Sequence, residues 1–142
     1  MKVIIDTNIA LYVLLNRVEF FQTSHDILKL SALDKIAGFI TTNAVADMFY
    51  MLHKNSRDAL KSKESLSRLL KLATLEAVIP RDIYFAFTSD IIDFEDAVMC
   101  SVAKRIKARY IVTRNTKDFK GSPVPAIEPV DFLSKYFPVE LK

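Results

Sequence analysis

Val3-Ile4-Ile5-Asp6-Thr7-Asn8 is the stretch that decides the fold. A short run of β-branched residues ends on a carboxylate, and the pattern then changes to helical apolar spacing through Ile9, Leu11, Val13, Leu14 and Leu15. This reads as strand, acid, helix. The same alternation continues outward. Apolar residues from Phe20 to Ile36 follow the 3.6-residue period, and Gly38 suits a helix end. Phe39 to Thr41 reads as a second strand, and Asn43 as the N-cap of a helix whose buried stripe is Val45, Met48, Phe49 and Leu52. Ser56 is placed to cap a lysine-rich helix reaching about Ala73. Ala77 to Pro80 reads as a strand closed by proline, residues 81–89 as a helix, and Phe94 to Lys107 as another. Tyr110 to Thr113 has the wholly apolar character of a buried parallel strand; Ile127 begins a last short strand, and Val130 to Phe137 a final helix. Strands alternating with helices predict an α/β fold with a parallel sheet and right-handed crossovers.

Composition bounds what such a chain does. At 142 residues, 51% hydrophobic, with 2 Gly and 5 Pro, it is expected to form one domain over 1–142. A core of this size needs no metal or disulfide staple. One cysteine, Cys100, and two histidines, His25 and His53, exclude an internal disulfide and the usual four-ligand Cys/His zinc site. The apolar run at the N-terminus is too short for a signal peptide, and no later run approaches ~18 apolar residues, so a soluble cytoplasmic protein with no membrane partner is expected. Twenty Lys and Arg against 17 Asp and Glu give a net charge of +3, too modest to name a partner.

Ligands in open parallel α/β sheets bind beyond the carboxyl ends of the strands. Asp6 ends the first strand, Asp47 lies one turn into the helix after the second, Asp93, Glu95 and Asp96 open a later helix, and Asn115 and Asp118 follow the Tyr110 strand. Each has a plainer reading: Asp6 and Asp93 as helix caps, Asp96 as the partner of that second cap, Asp47 as a solvated helix residue, Asn115 and Asp118 as turn residues. Their joint placement at successive strand-to-helix junctions is what points to chemistry. Clustered carboxylates repel unless a cation sits among them, and hard divalent ions such as Mg²⁺ or Mn²⁺ prefer oxygen donors. Aspartates with such an ion suffice for phosphodiester hydrolysis without Ser, Cys or His.

Val3-Ile4-Ile5-Asp6-Thr7-Asn8, Asp93-Phe94-Glu95-Asp96-Ala97 and Ile111-Val112-Thr113-Arg114-Asn115-Thr116-Lys117-Asp118-Phe119 resemble, in order and spacing, the motifs of the PIN domain. The resemblance frames nearly the whole chain. It implies a three-layer fold with a central parallel sheet flanked by helices, and a Mg²⁺- or Mn²⁺-dependent ribonuclease, frequently the toxin of a toxin–antitoxin pair of the VapC type and a homodimer. Asp6 matches the family's first acid, Asp96 the third and Asp118 the fourth. Asp47 is the best match to the second, usually Glu, and is one methylene shorter. Asn8, Asp93, Thr113 and Asn115 are supporting positions. Basic residues crowd Lys54 to Lys71 and Lys104 to Lys120, where Arg114 and Lys117 are the expected RNA contacts, although a solvated helix face explains the first segment equally well. His25 and His53 are expected to be surface or core residues, and Cys100 a packed apolar one.

Three function classes remain on the sequence alone: a metal-dependent endoribonuclease acting on single-stranded RNA, a PIN-like module that binds RNA or protein without cleaving it, and another Mg²⁺-dependent α/β fold. Against the last, Asp6-Thr7-Asn8 lacks the second Asp of a phosphatase Asp-x-Asp, and no adjacent acidic pair ends the first strand as receiver domains require.

Overall fold

Val3, Ile4 and Ile5 are all buried, which a strand achieves only with packed layers on both of its faces. The computed structural model describes residues 1–138 and shows both layers. β1 (Lys2–Ile5) is the middle of a five-stranded parallel sheet whose order is β3-β2-β1-β4-β5, with β2 Ala37–Thr41, β3 Thr74–Glu76, β4 Tyr110–Val112 and β5 Ala126–Ile127. Because side chains alternate along a strand, Val3 and Ile5 enter one core and Ile4 the other. The first core is covered by α1 (Thr7–Leu14), α2 (Val18–Ala32), α3 (Asn43–Ser56), α4 (Ala59–Leu69) and α7 (Pro129–Tyr136). α5 (Pro80–Thr88) and α6 (Phe94–Arg105) cover the second. The three-layer α/β expectation is met.

The strand order locates the site. The chain winds outward from β1 through β2 to β3, then returns to the other side of β1 for β4 and β5. The switch point therefore lies between β1 and β4, at their carboxyl ends. Val3 and Ile5 pair with Tyr110 and Val112, and the amide of Asp6 extends the ladder to the Val112 carbonyl at 3.0 Å. Asp6 and Thr113 thus leave adjacent strands side by side.

Several local expectations are corrected. Gly38 lies inside β2 instead of ending a helix, and α2 stops at Ala32. A Cβ on Gly38 would fall 2.5 Å from Ser31 Oγ and 2.8 Å from Ile5 Cδ1, so close helix-to-sheet packing, not a turn, requires the glycine. The strand expected at Ala77 to Pro80 is Thr74–Glu76, in register with Phe39 to Thr41. Pro80 opens α5 as its first residue, where a missing N–H costs nothing, and the Asp82 carboxylate accepts the Ile79 amide at 2.9 Å. Asp58, not Ser56, caps α4, accepting the Lys61 amide at 3.1 Å. Asn43 is already the first residue of α3 and makes no cap.

The end of β3 is tied down by Asp82, which is fully buried. Arg105 donates to its carboxylate at 2.9 Å and to the Ala77 carbonyl at 2.7 Å, and Ser101 Oγ donates to Asp82 at 2.7 Å. Hydrogen bonding from Arg105, Ile79 and Ser101 outweighs burial and holds the Asp82 carboxyl below its ordinary range. This buried acid is structural and stands apart from the acids at the switch point. Among the described residues no helix is long and apolar enough to cross a membrane.

Candidate active site

A cavity of about 270 Å³ opens at the switch point. Its wall carries six carboxylates: Asp6 from the end of β1, Asp47 from α3, Asp93, Glu95 and Asp96 from the start of α6, and Asp118 from the 3-10 turn Thr116–Phe119. Asn8, Asn43 and Asn115 stand among them. The expected Asp6, Asp47, Asp93, Asp96, Asp118, Asn8 and Asn115 are therefore brought into one volume, although they are scattered over more than a hundred positions of chain.

Asp6 is the buried member, 7% exposed. It occupies the N-cap position of α1 without making a side-chain cap. Its Oδ2 instead accepts a 2.7 Å hydrogen bond from Thr113 Oγ1, across the switch point. Thr113 is fully buried, and its hydroxyl also accepts the Asn115 amide at 3.1 Å, which shapes the turn leading to Asp118. Burial pushes the Asp6 carboxyl above its ordinary range, opposed by the Thr113 hydrogen bond and the Thr7 and Asn8 amides. Asp93 has a second role: its Oδ1 caps α6 by accepting the Asp96 amide at 3.0 Å. The cap reading is right for Asp93, and that bond fixes the backbone on which Asp96 stands.

The electrostatics of the cavity are frustrated. Burial, followed by the charges of Asp93, Asp6, Asp118 and Glu95, pushes the Asp96 carboxyl up to about 7. Glu95 is also pushed up to about 7, first by a shared carboxyl hydrogen bond with Asp47, then by burial and by the charges of Asp47, Asp93 and Asp6. Glu95, named in the sequence among the acids opening this helix but given no role in the site, is thus one of its members. Asp47 stands four residues into α3 and meets it from the opposite wall, a contact between distant helices that no local spacing displays.

Apart from the Met99 thioether, the donors on the cavity wall are oxygens, and no His or Cys lines it. Oδ1 of Asn43, on the same wall, is shut off from solvent and meets no hydrogen-bond donor among the described residues. An excess of acceptors with no cation among them fits a hard divalent ion in kind. The set is gathered but not closed: among the described residues no three His, Cys, Asp or Glu side chains stand as a ready-made metal group.

The expected basic contacts separate. Lys117 lines a second cavity of about 460 Å³ that shares Asp93, Asp96 and Asp118 with the first and is also lined by Lys120. Arg114 lines neither cavity; its guanidinium lies 3.1 Å from the centre of the Phe20 ring, with Tyr12 at 5.8 Å. Stacking on α2 draws it away from the acids. His25 and His53 are exposed and stack on Phe21 and Phe49, and Cys100 is buried with its thiol pushed up to about 11 by burial.

Comparison with known proteins bears on the family and the fold. The family model of the PIN domain matches residues 2–117. Among solved structures, VapBC2 from Rickettsia felis bound to a DNA fragment from its promoter is similar, with a TM-score of 0.71 at 20% identity, covering 90% of this chain and 98% of that one. DNA-bound VapBC from Salmonella typhimurium is similar with a TM-score of 0.70 at 14% identity, covering 91% and 98%. VapBC-1 from nontypeable Haemophilus influenzae gives 0.70 at 16%, covering 92% and 99%. At these identities the likeness is one of fold. No curated protein sequence matches the chain.

Proposed function

This chain belongs to the PIN domain family, and on that premise we propose that it is a Mg²⁺- or Mn²⁺-dependent endoribonuclease that cleaves single-stranded RNA. The observation that carries the reading is the cavity of six carboxylates at the switch point. A module that only docked RNA would gain affinity by losing these acids, because each repels a phosphate. Keeping them at the cost of two carboxyls raised to about 7 makes sense where a cation is recruited.

Asp6, Asp47, Asp96 and Asp118 would hold the ion, with Glu95 as a further carboxylate beside Asp47. When bound, it supplies charge neutralisation at the phosphate and lowers the pKa of water. The chain's own groups do the rest. Thr113 holds the Asp6 carboxylate at the switch point by donating to its Oδ2. Asp93 sets the start of α6 and so the reach of Asp96. Asn8 and Asn115 offer amides to orient a water or a phosphate oxygen, and Lys117 offers a cation to the backbone. Attack of water at phosphorus with departure of the 3′ oxygen leaves a 3′-hydroxyl and a 5′-phosphate, the outcome the family resemblance implies.

We further propose that the chain acts as the toxin of a type II toxin–antitoxin pair and forms a homodimer. The support is the likeness to chains from VapBC structures. A small open reading frame immediately upstream, whose product binds this chain, would bear this out. Incubation of the purified chain with end-labelled single-stranded RNA tests the nuclease reading. Cleavage with Mg²⁺ or Mn²⁺ that stops with EDTA is expected; no cleavage with either ion discards it.

A further inference from the structure

Outside the acid cavity, the chain exposes a contiguous apolar group that its own core does not use. Tyr84 and Phe87 of α5 and Phe94 of α6 are 70%, 69% and 45% exposed. The rings touch in sequence: Tyr84 to Phe87 at 6.5 Å between centroids, and Phe87 to Phe94 at 5.4 Å. Ile92, in the connection between the two helices, is wholly exposed. Scattered exposed apolar residues are ordinary, but exposed rings in mutual contact mark a binding surface.

Its position limits what it binds. Phe94 lies between Asp93 and Glu95 in the chain, both of which line the acid cavity, and Ile92 lines the adjoining cavity together with Lys117 and Lys120. Phe94 has Asp93 and Glu95 as its chain neighbours, and Asp90 precedes it by four residues, so the patch disfavours phosphate and accepts an uncharged planar group, while Lys117 and Lys120 of the adjoining cavity take the phosphate. That division is the one a nucleotide presents. A second copy of the chain fits less well, since a twofold contact through this patch brings the same acids against each other.

We propose that Tyr84, Phe87 and Phe94 form a stacking platform for the bases of single-stranded RNA next to the scissile bond, with Lys117 and Lys120 holding its backbone. The proposal deepens the nuclease reading and rests on it for the identity of the polymer. Aromatic stacking tolerates every base because each has a π-face, so this surface sets affinity for unpaired RNA and exposes the backbone to the acids without selecting a sequence.

The test is equilibrium binding by fluorescence anisotropy, in Mg²⁺, with Asp6→Asn present in every protein. The probes are a labelled single-stranded RNA and the same ribose-phosphate chain without bases. Phe87→Leu with Phe94→Leu keeps an apolar surface and removes the rings; Phe87→Tyr with Phe94→Tyr keeps the rings. The platform predicts about tenfold weaker binding of the base-bearing RNA by the Leu pair, no change on the abasic chain, and restoration by the Tyr pair. Lys117→Gln with Lys120→Gln weakens both probes and flattens the salt dependence by about 1.4 in log-log slope. An unchanged base preference in the Leu pair overturns the proposal. So does absence of RNA binding, or a Leu pair whose only effect is a smaller particle mass by light scattering, which assigns the patch to self-association. RNA bound without cleavage by the wild-type chain would sink the nuclease reading and leave the platform standing.

Discussion

Replacing Asp96 by Asn should stabilise the metal-free protein at alkaline pH. Asp96 carries its proton up to about 7 in the folded state against an ordinary value of 3.8. A carboxyl raised in this way contributes stability that is full below pH ~4 and lost as pH rises through 7. The interval corresponds to about 4 kcal/mol at ~1.4 kcal/mol per pH unit. Asp96 is partly open to solvent, which screens its neighbours, and about 2 kcal/mol is the working figure. For a domain of this length that is a rise in Tm of about 6 °C. Thermal unfolding of wild type and Asp96→Asn in EDTA, followed by circular dichroism from pH 4 to pH 8, measures it. The two curves should nearly coincide at pH 4 and separate steadily, with the variant the more stable at pH 8. Mg²⁺ at pH 8 should raise the wild-type Tm and leave that of the variant almost unchanged, since a ligand stabilises only the state that binds it. If Asp96→Asn lowers Tm at pH 8, or shifts it equally at pH 4 and pH 8, carboxylate repulsion is not what the cavity stores.

Thr113→Val removes the hydroxyl that both holds Asp6 and accepts the Asn115 amide. Cation affinity measured by calorimetry, or RNA cleavage at subsaturating Mg²⁺, should fall by roughly 10- to 100-fold while the fold persists. Arg105→Met leaves the buried Asp82 charge without its main partner and should cost about 3–5 kcal/mol in urea denaturation at pH 7. Because the Asp82 carboxyl is held low, that penalty should shrink as pH falls below the ordinary value of 3.8 toward the lowered one.

The sequence made the switch point legible because the signals there are local. A β-branched run ending on Asp6, an Asp at both the cap and third position of α6, and an apolar strand ending on Thr113 each fit within a few residues. The errors fall where tertiary contact decides. Gly38 resembles a helix stop, yet it is in a strand because α2 packs against it. Pro80 resembles a strand stop, yet β3 pairs three residues earlier with β2, leaving the proline to open α5. Glu95 sits at the start of a helix, where an acid is favourable anyway, and its pairing with Asp47 is visible only across the cavity. Arg114 follows the fourth-acid strand in the chain, but Phe20, distant in sequence, captures its guanidinium.

Single-turnover cleavage of one end-labelled single-stranded RNA by wild type and by Asp6→Asn, at fixed Mn²⁺, tests the carboxylate cavity most directly. A wild-type rate at least a hundredfold above the variant's, on the order expected for losing a charged group at the reacting centre, and products ending in 3′-hydroxyl and 5′-phosphate, are what the account predicts. Equal rates for the two proteins, or products carrying a 2′,3′-cyclic phosphate, would contradict it.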